Sequence, residues 1–431
     1  MEQNIVLGNK RKFVFHFLSS LFFISAISLF EIGGIYSFIN DKSKIGAFIQ
    51  LISIFIAFLL FWRKKYIIPF DGMMRITYIF FLVICTFTVI RGICDPLPNW
   101  NLWSYLFNPF MLYMFLIPLV VLLPTPLVNL VYVSKISKFL LPFCIFYIIT
   151  NFYELFSVQE LMAMRSYDLM IIGQRSQIPS QILLPVLFFL PMTKNKAYKL
   201  AAVIVLIIAT IALLLWGRRS CFVCTLLVAL PFFYNMIRMH WKLSLSILGS
   251  IIIYLVAQCD LEYFVQENFE VLYERYDADT RSDTEWDFYK DMDWNDWLLG
   301  RGMSGTYKSP SAAADDVANR SLIETGYLHL ILKGGILLLI PYLIILINSV
   351  YKGFFQTKNK YIRLIAYYIF INILFLYPGG HTGMNLPSFM LWTSVAICQT
   401  RSIRHLTDED MECIFKIRIL IKMNNINKIR R

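Results

Sequence analysis

A chain of 431 residues that is 58% hydrophobic and 16% charged, with a mean hydropathy of +0.60, has too little polar surface to cover a soluble globule. Its formal charge of +12 at first suggests a nucleic-acid partner, but the charges are sorted by side rather than gathered in one patch. With the amino terminus in the cytoplasm, the inward segments hold most of the Lys and Arg and few acids, which follows the positive-inside rule and excludes a nucleic-acid-binding surface as the first reading.

In chain order, apolar stretches of about span length recur between short charged breaks, the pattern a backbone needs when it must satisfy its own hydrogen bonds in hydrocarbon. Spans are predicted near Phe13 to Phe30, Ile45 to Trp62, Ile76 to Ile90, Phe110 to Leu123, Phe139 to Phe152, Ile178 to Met192, Leu200 to Trp216, Cys221 to Tyr234 and Leu243 to Gln258. Three more follow, near Gly326 to Ile347, Leu364 to Tyr377 and Leu386 to Cys398. The expected fold is therefore all-α: a polytopic membrane protein of about twelve spans, with both termini cytoplasmic. The basic cluster Lys10 to Lys12 resembles a signal-peptide start, but no small-residue cleavage site follows, so the first span is expected to be retained. Pro124 and Pro126 end the fourth span, and Leu127 to Val133 is read as lying at the inner interface. Ile178 to Met192 and Leu386 to Cys398 are short for a simple span; they must tilt little, thin the bilayer or re-enter.

Four units result: spans one to nine over residues 1–258, a large outward loop over 259–325, spans ten to twelve over 326–400, and a basic cytoplasmic tail over 401–431. The loop is where acids, Trp, Tyr and turn formers replace the apolar runs. Its first half, with Tyr263, Phe264, Phe269, Leu272, Tyr273 and Tyr276 at three- and four-residue steps, suits an amphipathic helix, and Gly302 to Ser321 reads as loop. The tail, KIRILIKMNNINKIRR from Lys416, is assigned to anionic lipid headgroups in preference to RNA. The eight Cys are scattered and form no disulfide framework, although Cys94 and Cys259 fall on the same outward side.

Candidate chemistry lies at the outward boundary. Gly217-Arg218-Arg219-Ser220 joins two apolar runs and sets two adjacent guanidiniums against the charge rule. Snorkelling to headgroups and anion binding in a wet cavity both account for it. Leu298-Leu299-Gly300-Arg301-Gly302 puts a cation between glycines that let backbone approach closely, though a helix-ending turn would have the same composition. Arg275 and Arg281 stand in an acidic stretch that supplies salt-bridge partners. Glu324-Thr325-Gly326-Tyr327-Leu328-His329 places ionisable groups at the entry of the tenth span, where Glu324 is either a helix-terminal cap or a general base. The turn Tyr377 to Gly383 adds His381. Asp277, Asp279, Asp283 and Glu285 lack the glycine turn and terminal Glu of a calcium loop, so no metal and no cofactor is expected. No phosphate-binding Gly-rich loop is present, which argues against a nucleotide-driven pump.

Together, the Gly217 to Ser220, Gly300 to Gly302 and Glu324 to Leu328 stretches, with Gly334 and Gly335 beyond, resemble the bacterial O-antigen polymerase and O-antigen ligase superfamily, the Wzy-type enzymes and their relatives. The resemblance covers about Ile178 to Ser388 and rests on the order and placement of short motifs. The position where the ligases resemble one another in a His is Glu324 here, which favours a polymerase. The resemblance implies metal-independent glycosyl transfer at the periplasmic face of the inner membrane between undecaprenyl-diphosphate-linked saccharides. A chain-length regulator is implied as a further possible partner. It further implies that Arg218 or Arg219 and Arg301 hold the diphosphate and that Glu324 takes the proton of the attacking hydroxyl. Arg175, Arg275, Arg281, Tyr327 and His381 are candidates to line the substrate, and Trp286, Trp294, Trp297 and Tyr307 to stack on sugars. Ligation onto lipid A core and flipping of a lipid-linked oligosaccharide are the competing readings. The long loop and the lack of two similar halves count against a transporter.

Overall fold

The computed structural model describes residues 24–36, 44–62, 66–96, 102–108, 111–156, 175–216, 218–239, 280–310, 319–379 and 383–416. These are overwhelmingly helical. The elements are α1 (Ile24–Tyr36), α2 (Lys44–Trp62), α3 (Gly72–Cys94), α4 (Leu102–Phe107), α5 (Leu112–Leu116, continued by a 3-10 turn Ile117–Leu122), α6 (Pro126–Thr150) and α7 (Phe152–Phe156). There follow α8 (Ile178–Phe189), α9 (Lys196–Leu215), α10 (Arg219–Met239), α11 (Thr280–Asp291) and α12 (Trp294–Leu299). A two-residue antiparallel pair joins β1 (Tyr307–Lys308) to β2 (Asn319–Arg320), and α13 (Gly326–Phe355), α14 (Lys360–Phe375), α15 (Leu386–Gln399), α16 (Arg401–Arg404) and α17 (Asp408–Lys416) complete the chain.

Among the described residues, α3, α6, α9, α10 and α13 are long and apolar enough to cross a bilayer, and the molecule is a helical membrane protein. At 23 residues, α3 measures about 34 Å at the helical rise, more than the hydrocarbon thickness. Five shorter apolar helices, α1, α2, α5 with its 3-10 turn, α8 and α15, accompany them. The predicted ninth span and residues 259–279 of the polar loop lie outside the described residues.

α15 is the centre of the bundle. Every residue from Ser388 to Gln399 is buried. Fully buried Trp392 stacks on Phe81 of α3 at 5.9 Å and meets Tyr342 of α13 edge-on at 5.8 Å. Its shortness thereby has a physical reason: a helix walled on all sides by protein does not have to match the thickness of the hydrocarbon.

Leu127 to Val133 is not a separate segment: it forms the first turns of α6, a 25-residue helix that starts with Pro126 at its N-terminus and runs through Pro142. Asn129 to Val133 are buried. The tail's first part is also folded. Thr357 Oγ1 donates to Arg404 O at 2.8 Å, Asn359 Nδ2 to Leu406 O at 2.9 Å and Tyr361 OH to Glu412 Oε1 at 2.9 Å, so α16 and α17 dock on the start of α14.

Candidate functional site

Residues 280–310 and 319–325 form a polar cap on one end of the bundle, hereafter the loop end. The cap has its own small core of Phe288, Met292, Tyr307, Ile323, Leu328, Ile331 and Leu332. Its floor is the first nine residues of α13. That helix is not one straight rod, because Gly335 sits at φ 68°, ψ −172° and breaks it. A Cβ at Gly335 would overlap Leu298 O, so only glycine fits both the dihedral and the space.

The Gly300-Arg301-Gly302 turn docks on this break. Arg301 N donates to Leu332 O at 2.7 Å and Gly302 N to Lys333 O at 2.9 Å, which gives partners to carbonyls at the interrupted helical ladder. Gly300, at φ 66°, would drive a Cβ into the Lys333 carbonyl. On the other flank, Met303 N donates to Thr88 O at 3.0 Å and Ser304 Oγ to Gly92 O at 2.7 Å, while Arg91 Nη1 donates to Leu299 O and Gly300 O at 3.0 and 2.9 Å. The turn is wedged between α3 and α13, and buried Lys333 spans the wedge with a bond to Gly305 O at 2.9 Å.

Within the wedge Arg301 is committed to the protein. Its Nε donates to Asp296 Oδ2 at 2.8 Å, Nη1 to Asp291 and to Thr306 O at 2.8 Å, and Nη2 to the Asp291 carbonyl. Burial works against its charge, but the hydrogen bonds and charges of Asp296 and Asp291 outweigh it and hold the pKa above the ordinary arginine value. The guanidinium that the resemblance assigns to a diphosphate is here bonded to two carboxylates and two carbonyls of the cap itself. Asp291 also accepts from Lys308 N at 3.1 Å, so the arginine ties α11, α12 and β1 into one body.

Glu324 is placed differently. Its carboxylate is 74% exposed and meets Arg281 Nη2 at 3.1 Å, and the same Arg281 nitrogen donates to Pro378 O at 3.4 Å. One guanidinium from the start of α11 therefore joins the entry of α13 to the turn after α14. Glu324 is not the cap of α13; that position belongs to Thr325, whose hydroxyl donates to Glu285. Tyr327, a candidate for lining the substrate, stacks on Tyr377 at 6.5 Å and 14° across the same junction. Arg281, Glu324, Tyr327 and the Pro378 turn are brought together, in keeping with their shared place at the predicted outward boundary. His381 and Arg275 lie outside the described residues, as do Asp277, Asp279 and Cys259.

Arg218 and Arg219 begin α10. Cys221 Sγ contacts Gln177 Oε1 at 3.4 Å, and Gln181, one turn further along α8, lines a pocket with Leu386, so the arginine pair belongs to the loop end as well. Arg175 is engaged in an ion pair, with Nη1 at 3.0 Å from both oxygens of Glu154. Of the aromatic candidates, Tyr307 is buried in the cap core and half-buried Trp297 is stacked on Tyr289 at 5.8 Å. Trp286 and Trp294 are 60% and 79% exposed.

One acid is missed by the sequence reading. Glu31 directly follows the predicted first span, whereas α1 carries it onward to Tyr36 and turns its side chain inward, where Oε2 accepts from Leu386 N at 3.0 Å. A signal is present in the sequence: the apolar run resumes with Ile32 and Ile35 immediately after the acid. Among the described residues no group of three or more His, Cys, Asp or Glu is arranged to hold a metal ion. No family model, curated protein or solved structure matches the chain.

Proposed function

We propose that the protein is a glycosyltransferase of a bacterial inner membrane that joins undecaprenyl-diphosphate-linked saccharide repeats at the periplasmic face, an O-antigen polymerase or the corresponding enzyme of another surface polysaccharide. About twelve spans with both termini in the cytoplasm belong to the proposal, as the charge bias of the sequence supports that orientation. The observation that carries the reading is the Arg281–Glu324 pair at the membrane boundary, a carboxylate held in the open junction between the polar cap and the Pro378 turn.

The reaction asks little else of the protein. A hydroxyl oxygen of one lipid-linked repeat bonds to the anomeric carbon of the growing chain as that carbon's bond to the diphosphate oxygen breaks. The electron pair leaves with undecaprenyl diphosphate, and the hydroxyl proton passes to Glu324. Arg218 and Arg219, at the same end of the bundle, stabilise the negative charge that develops on the leaving group. Arg301 serves by holding the cap over the bundle.

A strain lacking the gene tests this. Surface lipid should carry a single repeat, the wild-type gene should restore a ladder, and Glu324→Gln should slow polymerisation about 100-fold or more at unchanged membrane level, the scale of a lost general base. A wild-type ladder from Glu324→Gln removes the proton-acceptor role. Lipid A core without any repeat, together with accumulated lipid-linked polymer, would instead identify a ligase.

A further inference from the structure

The pocket beneath the start of α15, where α1, α6, α8 and α15 meet, is separate from the Arg281–Glu324 junction. Its walls are mostly apolar, with Phe143, Ile182 and Pro185 among them, and three polar residues line it: Ser28, Glu31 and, at its exposed side, Gln181. Glu31 Oε2 is used by Leu386 N, but Oε1 makes no hydrogen bond among the described residues, and neither does the side-chain amide of Gln181. Ser28 Oγ gives its hydrogen to Ile24 O at 3.0 Å, which leaves it as an acceptor.

A carboxylate in such surroundings is stabilised by a counter-charge or by a proton of its own, and each open lone pair by a hydrogen. Among the described residues no cationic side chain lines the pocket. An anion is repelled by the carboxylate, and a neutral hydroxyl supplies a hydrogen but no counter-charge, whereas an ammonium group supplies both. Three acceptors, Glu31 Oε1, Ser28 Oγ and the Oε1 of solvent-exposed Gln181, belong to side chains that line this one pocket, a set that complements the three hydrogens of a primary ammonium group. We infer that this pocket is a binding site for a primary ammonium group, carried by either an ethanolamine lipid headgroup or an amino sugar. The site stands on its own geometry and holds whether or not the proposed reaction is the right one.

The test uses the full chain in nanodiscs and follows modification of Glu31 by a hydrophobic carbodiimide with mass spectrometry. In phosphatidylcholine, whose headgroup has no N–H, Glu31 should be labelled. An ammonium ligand at about ten times its Kd should slow labelling about ten-fold. Slowing in phosphatidylethanolamine nanodiscs assigns the lipid headgroup. Slowing by glucosamine in phosphatidylcholine, but not by N-acetylglucosamine, assigns an amino sugar. Gln181→Ala, which leaves the Leu386 contact intact, should weaken the protection in either arm. Equal labelling across all lipids and both sugars overturns the site, as does protection that Gln181→Ala leaves unchanged, or a Glu31 that no condition labels. A Glu31 that merely caps α15 would give the first of these results.

Discussion

Arg301 and Glu324 are both charged residues of the polar cap, and their surroundings give them opposite work. Arg301 has two carboxylates and two carbonyls around one planar fork, a geometry Lys cannot reproduce from a single nitrogen. Arg301→Lys should therefore destabilise the cap by about 2 kcal/mol, because Asp291 and Asp296 lose their partner in a partly buried place. Thermal unfolding and hydrogen exchange over residues 280–310 would read this, and Asp296→Asn in the same background should add less than its effect alone. Glu324→Gln, with one exposed ion pair to lose, should leave both measurements within experimental scatter. The motif Gly300-Arg301-Gly302 is legible in the sequence as a cation between glycines. Its partners are not, because Asp291, Asp296 and Thr306 reach it only when α11, α12 and the turn fold onto one another.

At the scale of elements, the break in α13 is the joint on which the cap turns. Gly334-Gly335 in an apolar run reads from sequence as a weak point in a span. The structure makes it a socket, filled by the Leu299–Gly302 backbone and flanked by Arg91. Gly335→Ala forces a Cβ into Leu298 O and a backbone region that L residues avoid, so it should cost about 2 kcal/mol or more and release the turn from α3 and α13. Limited proteolysis within residues 298–306 would detect the release. Gly72, also at positive φ but with open space where a Cβ would project, is the control: alanine there meets only the dihedral penalty. The short extent of α15 is the one the sequence reading gave it, whereas α6 departs from expectation by beginning at Pro126 instead of near Phe139. Sequence rules for spans assume lipid on the outside and broken helices at proline, whereas packing against neighbours removes the first constraint and absorbs the second.

For the whole molecule, the proposed orientation places the cap outside and α17 inside. A chain carrying Trp294→Cys as its reactive exposed cysteine, with Cys94, Cys259 and Cys413 replaced, should react with a membrane-impermeant maleimide in intact spheroplasts. A chain keeping only Cys413 should react after lysis alone, and the reverse pattern would invert the topology. By itself, the sequence determined that the protein is a helical membrane protein, where its polar cap interrupts the spans, and which short motifs stand at the boundary. Those are properties of local hydropathy and charge, which need no partner to be read. Only the tertiary structure decided that Arg301 is a staple, that Glu324 pairs with Arg281 beside the Pro378 turn, and that Glu31 faces an internal pocket. Each depends on side chains from segments tens to hundreds of residues apart, and the packing of α1, α3, α13 and α15 is what brings them within hydrogen-bonding distance.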